Sequence, residues 1–344
     1  MSAAAPPSKL RPSGLNGDRI FGGIVVACAV FVIFLLVAII AVLILRSQET
    51  LNRYGLDFFT SRTWDPVARS AGEEVLINGR VTTLKEAVPG IFGALPFIYG
   101  TVVTSILALL IATPFAVGSA IYVSEYCPRR IGDIISFIIE LLVAIPSVAY
   151  GVFGFLVLKN IMRDSVSPFL RDTLGNVPIL NVFFPKNATI LGLDLFTASV
   201  VLAVMILPTI LAVSREIIRQ VPRLQKEGML ALGATKWESI RLAVLPYARS
   251  GIVGGAMLGL ARGIGETMAV TMTIGNGKLN NITGSLFQST SSLASAIASQ
   301  FGEAQAERTY GSAIVELGLV LLIVSSVINL SARVLVGRAT RGAD

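Results

Sequence analysis

"IFGGIVVACAVFVIFLLVAIIAVLIL", residues 20–45, runs for twenty-six residues without one charge. A helix needs about 20 apolar residues to cross the hydrocarbon core of a bilayer. The run is too long for the apolar core of a signal peptide, and no small-residue cleavage site follows it. It therefore predicts a retained first span. Five further apolar runs lie at about 96–119, 134–158, 190–213, 252–274 and 312–332. Composition agrees, with 53% of the 344 residues hydrophobic, 14% charged and a mean hydropathy of +0.75. The prediction is an all-α polytopic membrane protein with six transmembrane helices.

Basic residues set the orientation. With the N-terminus inside, fifteen Lys and Arg fall in the inside segments and twelve in the longer outside ones. Both termini are therefore expected in the cytoplasm and the chain in the plasma membrane. Residues 1–19, rich in Ala, Pro and Ser, read as a disordered cytoplasmic tail and 335–344 as a second tail. The outside segment 46–95 balances six basic against six acidic residues. Within it, Asn78-Gly79 between two β-prone runs predicts a small extracytoplasmic hairpin, with Trp64 near the membrane interface.

Several chemistries are excluded or displaced. The chain has no histidine and two separated cysteines, Cys28 and Cys127. A metal site built on those ligands and a histidine base are both ruled out, and no disulfide framework is implied. The formal net charge of +7 suggests nucleic acid in a soluble chain. Here the basic residues are read against the lipid bilayer instead, and no nucleic-acid partner is expected. "IGNGKLN" (274–280) lacks the first glycine, the hydroxyl residue and the context of a phosphate-binding loop. No bound cofactor is expected, and any ATP chemistry belongs to another polypeptide.

The loop "SREIIRQVPRLQKEGMLALGATKWESIRLAVLP" (214–246) is far longer than a turn requires. "EGMLALGATKWESIRLA" reads as two short amphipathic helices broken at Gly233-Ala234-Thr235. Physics leaves two readings open. The element presents Met229, Leu230 and Leu232 to a groove on a partner, or it lies flat among lipid headgroups.

In the fifth run, "LGLARGIGETMAV" (258–270) carries an arginine and a glutamate at bilayer depth, where each charge costs at least ~2.5–3.5 kcal/mol. On one continuous helix Gly251, Gly255, Gly259, Arg262, Glu266, Ala269 and Thr273 share a narrow face, and Arg262 reaches Glu266. Again two readings stand. The face is a packing seam with an internal ion pair, or a substrate path of small residues that offers Arg262 to an anion. Other intramembrane features are Glu140, the prolines 114, 146 and 208 as kinks, Ser147 and Tyr150 beside Pro146, and Glu316 in the first turn of the last span.

Glu227, Gly233 and Leu245-Pro246 match the spacing of the EAA loop of ABC importer permeases, with departures at Gly228-Met229 and Ala243. "ARGIGETMAV" (261–270) resembles the signature of the permease family of bacterial ABC-type phosphate importers (PstC-type). "GT" at 100–101, "ATPFAVGSAIYVSEY" (112–126), "IIELLVAIPSVAYGVFG" (138–154) and "MILPTILAVSREII" (205–218) resemble the same family.

The resemblance implies a type I, MetI-like permease core over 96–334, its coupling loop at 214–250. It further implies a non-catalytic subunit that forms half of an inorganic-phosphate path by alternating access. The implied partners are a second homologous permease (PstA-like), a dimeric ATPase (PstB-like) on the coupling loop, and an extracytoplasmic phosphate-binding protein (PstS-like). Arg262, Glu266, Thr267 and Ser147 are the expected path residues; Glu227, Gly233, Leu245 and Pro246 are the expected coupling residues. The alternatives are a permease for sulfate or molybdate, against which Gly-Glu-Thr-Met argues, and a secondary carrier or membrane signalling protein without an ATPase.

Overall fold

The computed structural model describes residues 15–277, 282 and 284–341. Helix α1 (Leu15–Tyr54) is forty residues long and overruns the apolar run at both ends. Nothing in the flanks breaks a helix until Gly55, whose φ of +52° lets the chain turn away as its N–H donates to the Leu51 carbonyl. The tail expected over 1–19 is thus helical from Leu15, and residues 1–14 lie outside the described residues.

Strands β1 (Glu74–Ile77) and β2 (Arg80–Thr83) pair antiparallel with Ile77 opposite Arg80. Asn78 and Gly79 both take positive φ, as a two-residue hairpin turn requires. Trp64 packs into an aromatic cluster. Its ring meets Phe92 and Phe97 edge-on at 5.0 and 4.9 Å, and its Nε1–H donates to Gln300 Oε1 at 2.8 Å. A cluster with fully buried Phe58 and Phe92 has claimed the indole, because a ring with one N–H gains from an apolar nest with one polar partner.

The bundle centres on α2 (Leu95–Ile121) and α5 (Leu195–Arg219), with α3 (Arg129–Ala144) and α4 (Ser147–Phe153) between them in sequence. Ala108, Ala112, Ala116 and Ala120 are all fully buried at four-residue spacing. That small-residue stripe brings α2 tight against Leu202, Ile206 and Ile210 of α5, the packing that replaces the hydrophobic effect inside a bilayer. Asp194 caps α5, accepting the Thr197 N–H at 2.8 Å.

The third expected span, 134–158, is not one helix. It bends by 90° between α3 and α4. Pro146 supplies no N–H and forces its predecessor out of the helical region, and Ile145 has ψ of 129°. Pro114 and Pro208, by contrast, sit inside continuous helices. Among the described residues five helices are long and apolar enough to cross a membrane, or six if the bent pair is one span.

Chain ends and charges complete the frame. The loop after α5 holds α6 (Arg223–Ala231) and α7 (Lys236–Ser239). It leads through a wider helical turn over 240–244 into α8 (Leu245–Ile264). Next come α9 (Met268–Thr273), α10 (Leu293–Ala304) and α11 (Arg308–Arg341). Helix α11 starts ahead of the apolar run expected from 312, and Tyr310 in its first turn stacks on Phe92 at 5.7 Å. Glu316 is therefore not in the first turn but deeper in the helix, fully buried where α11 meets α1 beside Thr50. Glu140 pairs at 3.8 Å with this chain's own Arg215.

Candidate functional site

The sequence "LARGIGETMAV" does not continue as one helix. Helix α8 ends at Ile264, Gly265–Thr267 break the spiral, and α9 begins at Met268. The single face drawn through Arg262 and Glu266 is therefore interrupted, and the two side chains part. Arg262 Nη1–H donates to Thr209 Oγ1 on α5 at 3.1 Å. Glu266 turns forward and its Oε1 accepts the Ala269 N–H at 3.2 Å, satisfying an open donor at the start of α9. Among the described residues no carboxylate is within ion-pair distance of Arg262. The expected Arg262–Glu266 pair is absent, because an i, i+4 contact exists only while the helix does.

The glycine stripe is a seam, not a path wall. A Cβ on Gly251 would lie 2.5 Å from Ile217 Cγ1, and one on Gly259 2.7 Å from Ile210 Cγ1. Branched side chains of α5 fill the space those glycines leave. Arg262 continues the stripe, but its long side chain reaches past the seam to the hydroxyl of Thr209.

Opposite this break lies the other one. Helix α4 starts at Ser147, which is partly exposed, just beyond the bend at Pro146. The Tyr150 hydroxyl donates back across the bend to the Leu142 carbonyl at 2.9 Å. Helices α4 and α9 press together where Gly151 meets Ala269, with room for no more: a Cβ there would stand 2.8 Å from Met272 Sδ. Thr267 donates to the Gly265 carbonyl at 3.3 Å, inside the break itself. The structure thus gathers Arg262, Glu266 and Thr267 at one break and places Ser147 at the facing one. Thr209 escaped the sequence reading; a hydroxyl next to Pro208 in an otherwise apolar run was the available signal.

The second candidate region is the loop between α5 and α8. Two short helices form and the break falls at Gly233, whose φ is +85°. Thr235 and Glu238 make a reciprocal capping box that starts α7. Glu227, Leu224, Leu230, Leu232 and Trp237 are exposed, while Met229, expected to be presented with them, is half-buried. Leu245 and Pro246 belong to the helical root rather than the exposed tip. Proline cannot bond to the carbonyl four residues back, and the wider turn over 240–244 takes up that mismatch.

Residues 112–341 match the model of the family described as binding-protein-dependent transport system inner membrane component. The chain belongs to that family. It is 39% identical over 308 residues to the phosphate transport system permease protein PstC of Haemophilus influenzae, covering 90% of this chain and 89% of the relative. It is 38% identical over 345 residues to PstC of Xylella fastidiosa, covering 99% and 98%. A solved chain of the inward-facing MetNI methionine ABC transporter is similar at 21% identity, with a TM-score of 0.46, covering 72% of this chain and 94% of that one.

Both breaks, Arg262 and the 223–239 loop lie within the stretch that this inner membrane component family matches; α1 and the hairpin precede it. As a member, the chain is a multi-pass membrane protein with the MetI-like permease fold. "GT" at 100–101 now has a structural account. Gly100 admits the Ser291 carbonyl, and Thr101 Oγ1 accepts the Leu293 N–H at 2.8 Å, anchoring the start of α10.

Proposed function

We propose that this chain is the permease subunit of an ABC-type importer for inorganic phosphate and forms half of its translocation path. The observation that carries the proposal is Arg262, a guanidinium inside a span whose partner is a neutral hydroxyl, so its charge remains for an anion. Guanidinium binds phosphate through paired N–H donors. The relatives named for phosphate transport support the substrate class. Glu266 accepts a hydrogen bond from a protonated phosphate hydroxyl, which sulfate, fully deprotonated near neutral pH, does not offer. Thr267 and Ser147 contribute hydroxyls at the two facing breaks.

The mechanism is alternating access. A dimeric ATPase (PstB-like) docks on the exposed 223–239 loop and a second, homologous permease (PstA-like) completes the path. A phosphate-binding protein (PstS-like) delivers substrate to the outer segments 46–95, 159–189 and 275–311. Residues 278–281 and 283 of the last segment lie outside the described residues. ATP is bound and hydrolysed by the partner; this chain is non-catalytic and needs no cofactor of its own. Both termini face the cytoplasm, in keeping with the excess of basic residues there.

The test is radiolabelled phosphate uptake in a strain lacking this chain, complemented with wild type, Arg262→Ala or Gly233→Asp, with sulfate uptake as the control. Arg262→Ala is expected to reach the membrane, keep the ATPase bound and lose phosphate uptake. Gly233→Asp is expected to lose uptake together with ATPase co-purification. Normal phosphate uptake by Arg262→Ala overturns the assigned role.

A further inference from the structure

We propose that Glu125 and Tyr126, at the end of the second span, are the positioning contacts through which the 223–239 loop moves the bundle. The inference rests on the reading of that loop as the ATPase dock. Helix α2 does not stop at Ile121; it runs on through a wider helical turn, Tyr122–Tyr126, before Cys127 extends. Both helices of the loop grip that turn. From α6, the Lys226 ammonium pairs with the Glu125 carboxylate, and their side chains are only 23% and 11% exposed. From α7, the Lys236 ammonium lies 4.6 Å above the ring of Tyr126, which itself stacks on Tyr122 at 6.5 Å. Ser239 Oγ–H donates to the Lys226 carbonyl at 3.5 Å, tying the base of one loop helix to the other.

The two faces of the loop are thus divided. Glu227, Leu224, Leu232 and Trp237 are open to a partner, while Lys226 is largely covered against Glu125 and Lys236, itself exposed, lies over the Tyr126 ring. Adjacent residues on a helix stand about 100° apart, so Lys226 inward and Glu227 outward follow from one register. A push on the open face reaches Glu125 and Tyr126 directly. Beyond them the alanine stripe locks α2 to α5 at van der Waals distance, and close-packed helices shift as bodies rather than yield. Helix α5 carries Thr209, the hydroxyl that holds Arg262. A chain of contacts through α2 therefore reaches α5 and Thr209, in addition to the covalent connections by which the loop joins α5 at Arg219 and α8 at Leu245.

The experiment uses the whole importer, with both permeases, ATPase and binding protein, in proteoliposomes. It reads phosphate moved per ATP hydrolysed, and ATPase retention on the solubilised complex. Glu125→Gln and Lys226→Gln should each lower that ratio by roughly fivefold or more, a coupling-sized change, while the ATPase stays bound. The charge-swapped double variant, Glu125→Lys with Lys226→Glu, should restore it, which a merely lost fold does not allow. Wild-type ratios in the single variants, loss of the ATPase from them, or a swap that restores nothing would each overturn the proposal. A wild-type complex that hydrolyses ATP without moving phosphate would instead bring down the function reading, and with it the role of Glu125 and Tyr126.

Discussion

The interruption at Gly233–Thr235 and the interruption at Gly265–Thr267 stop a helix by different means. At the first, every device is local: a glycine at φ +85°, then a threonine and a glutamate three residues on that cap each other. At the second, Thr267 makes no capping bond at the start of α9, and Gly265 keeps a negative φ of −86°. Glu266 satisfies one donor, and the rest is the pressure of α4 on α9 at Gly151. A loop in water carries its stop signals in its own short-range sequence. A break inside a bundle is held by its neighbours.

That contrast has measurable consequences. The largest effect is expected from Gly151→Leu, which drives a side chain into Met272 and Ala269 and costs about 1–3 kcal/mol or more by overpacking. The melting temperature of the detergent-solubilised complex should fall clearly; an unchanged value would mean that the α4–α9 contact does not hold the break. Thr235→Ala comes next. Losing a cap of this type costs about 1 kcal/mol, and because α7 is exposed the loss should stay local. Hydrogen exchange at the Glu238 amide should quicken while the bundle keeps its melting temperature. The smallest effect is expected from Thr267→Ala. Its hydroxyl makes one long hydrogen bond, to Gly265, worth about 0.5 kcal/mol. Should exchange near Ala269 respond to Thr267→Ala as strongly as Glu238 responds to Thr235→Ala, Thr267 acts as a local cap alongside Glu266 and the contrast collapses.

The candidate site was legible in the same uneven way. A charged pair inside an apolar run marked Arg262 and Glu266 as residues needing an explanation. Their separation was hidden, since helical spacing assumes the helix continues. The glycines at four-residue spacing fitted either a path or a seam, and only Ile210 and Ile217 on another element decided for the seam. Pro146 announced a kink, yet the 90° bend needed a partner for α4 to fold against. The aromatic cluster around Trp64 was hidden because its members, Phe92, Phe97 and Tyr310, lie far along the chain.

Left to itself, the sequence determined what depends on composition and short-range chemistry. That comprises the apolar runs, the Asn78-Gly79 hairpin, the two loop helices with their glycine stop, and the charged residues inside the fifth run. Each follows from solvent transfer or from bonds made within a few residues. Tertiary structure alone decided where α8 ends, which way Arg262 turns, that Glu140 meets Arg215, and that Lys226 reaches Glu125. Those outcomes depend on groups as far as 101 residues apart competing for one side chain. Such competition is settled only when the helices are packed.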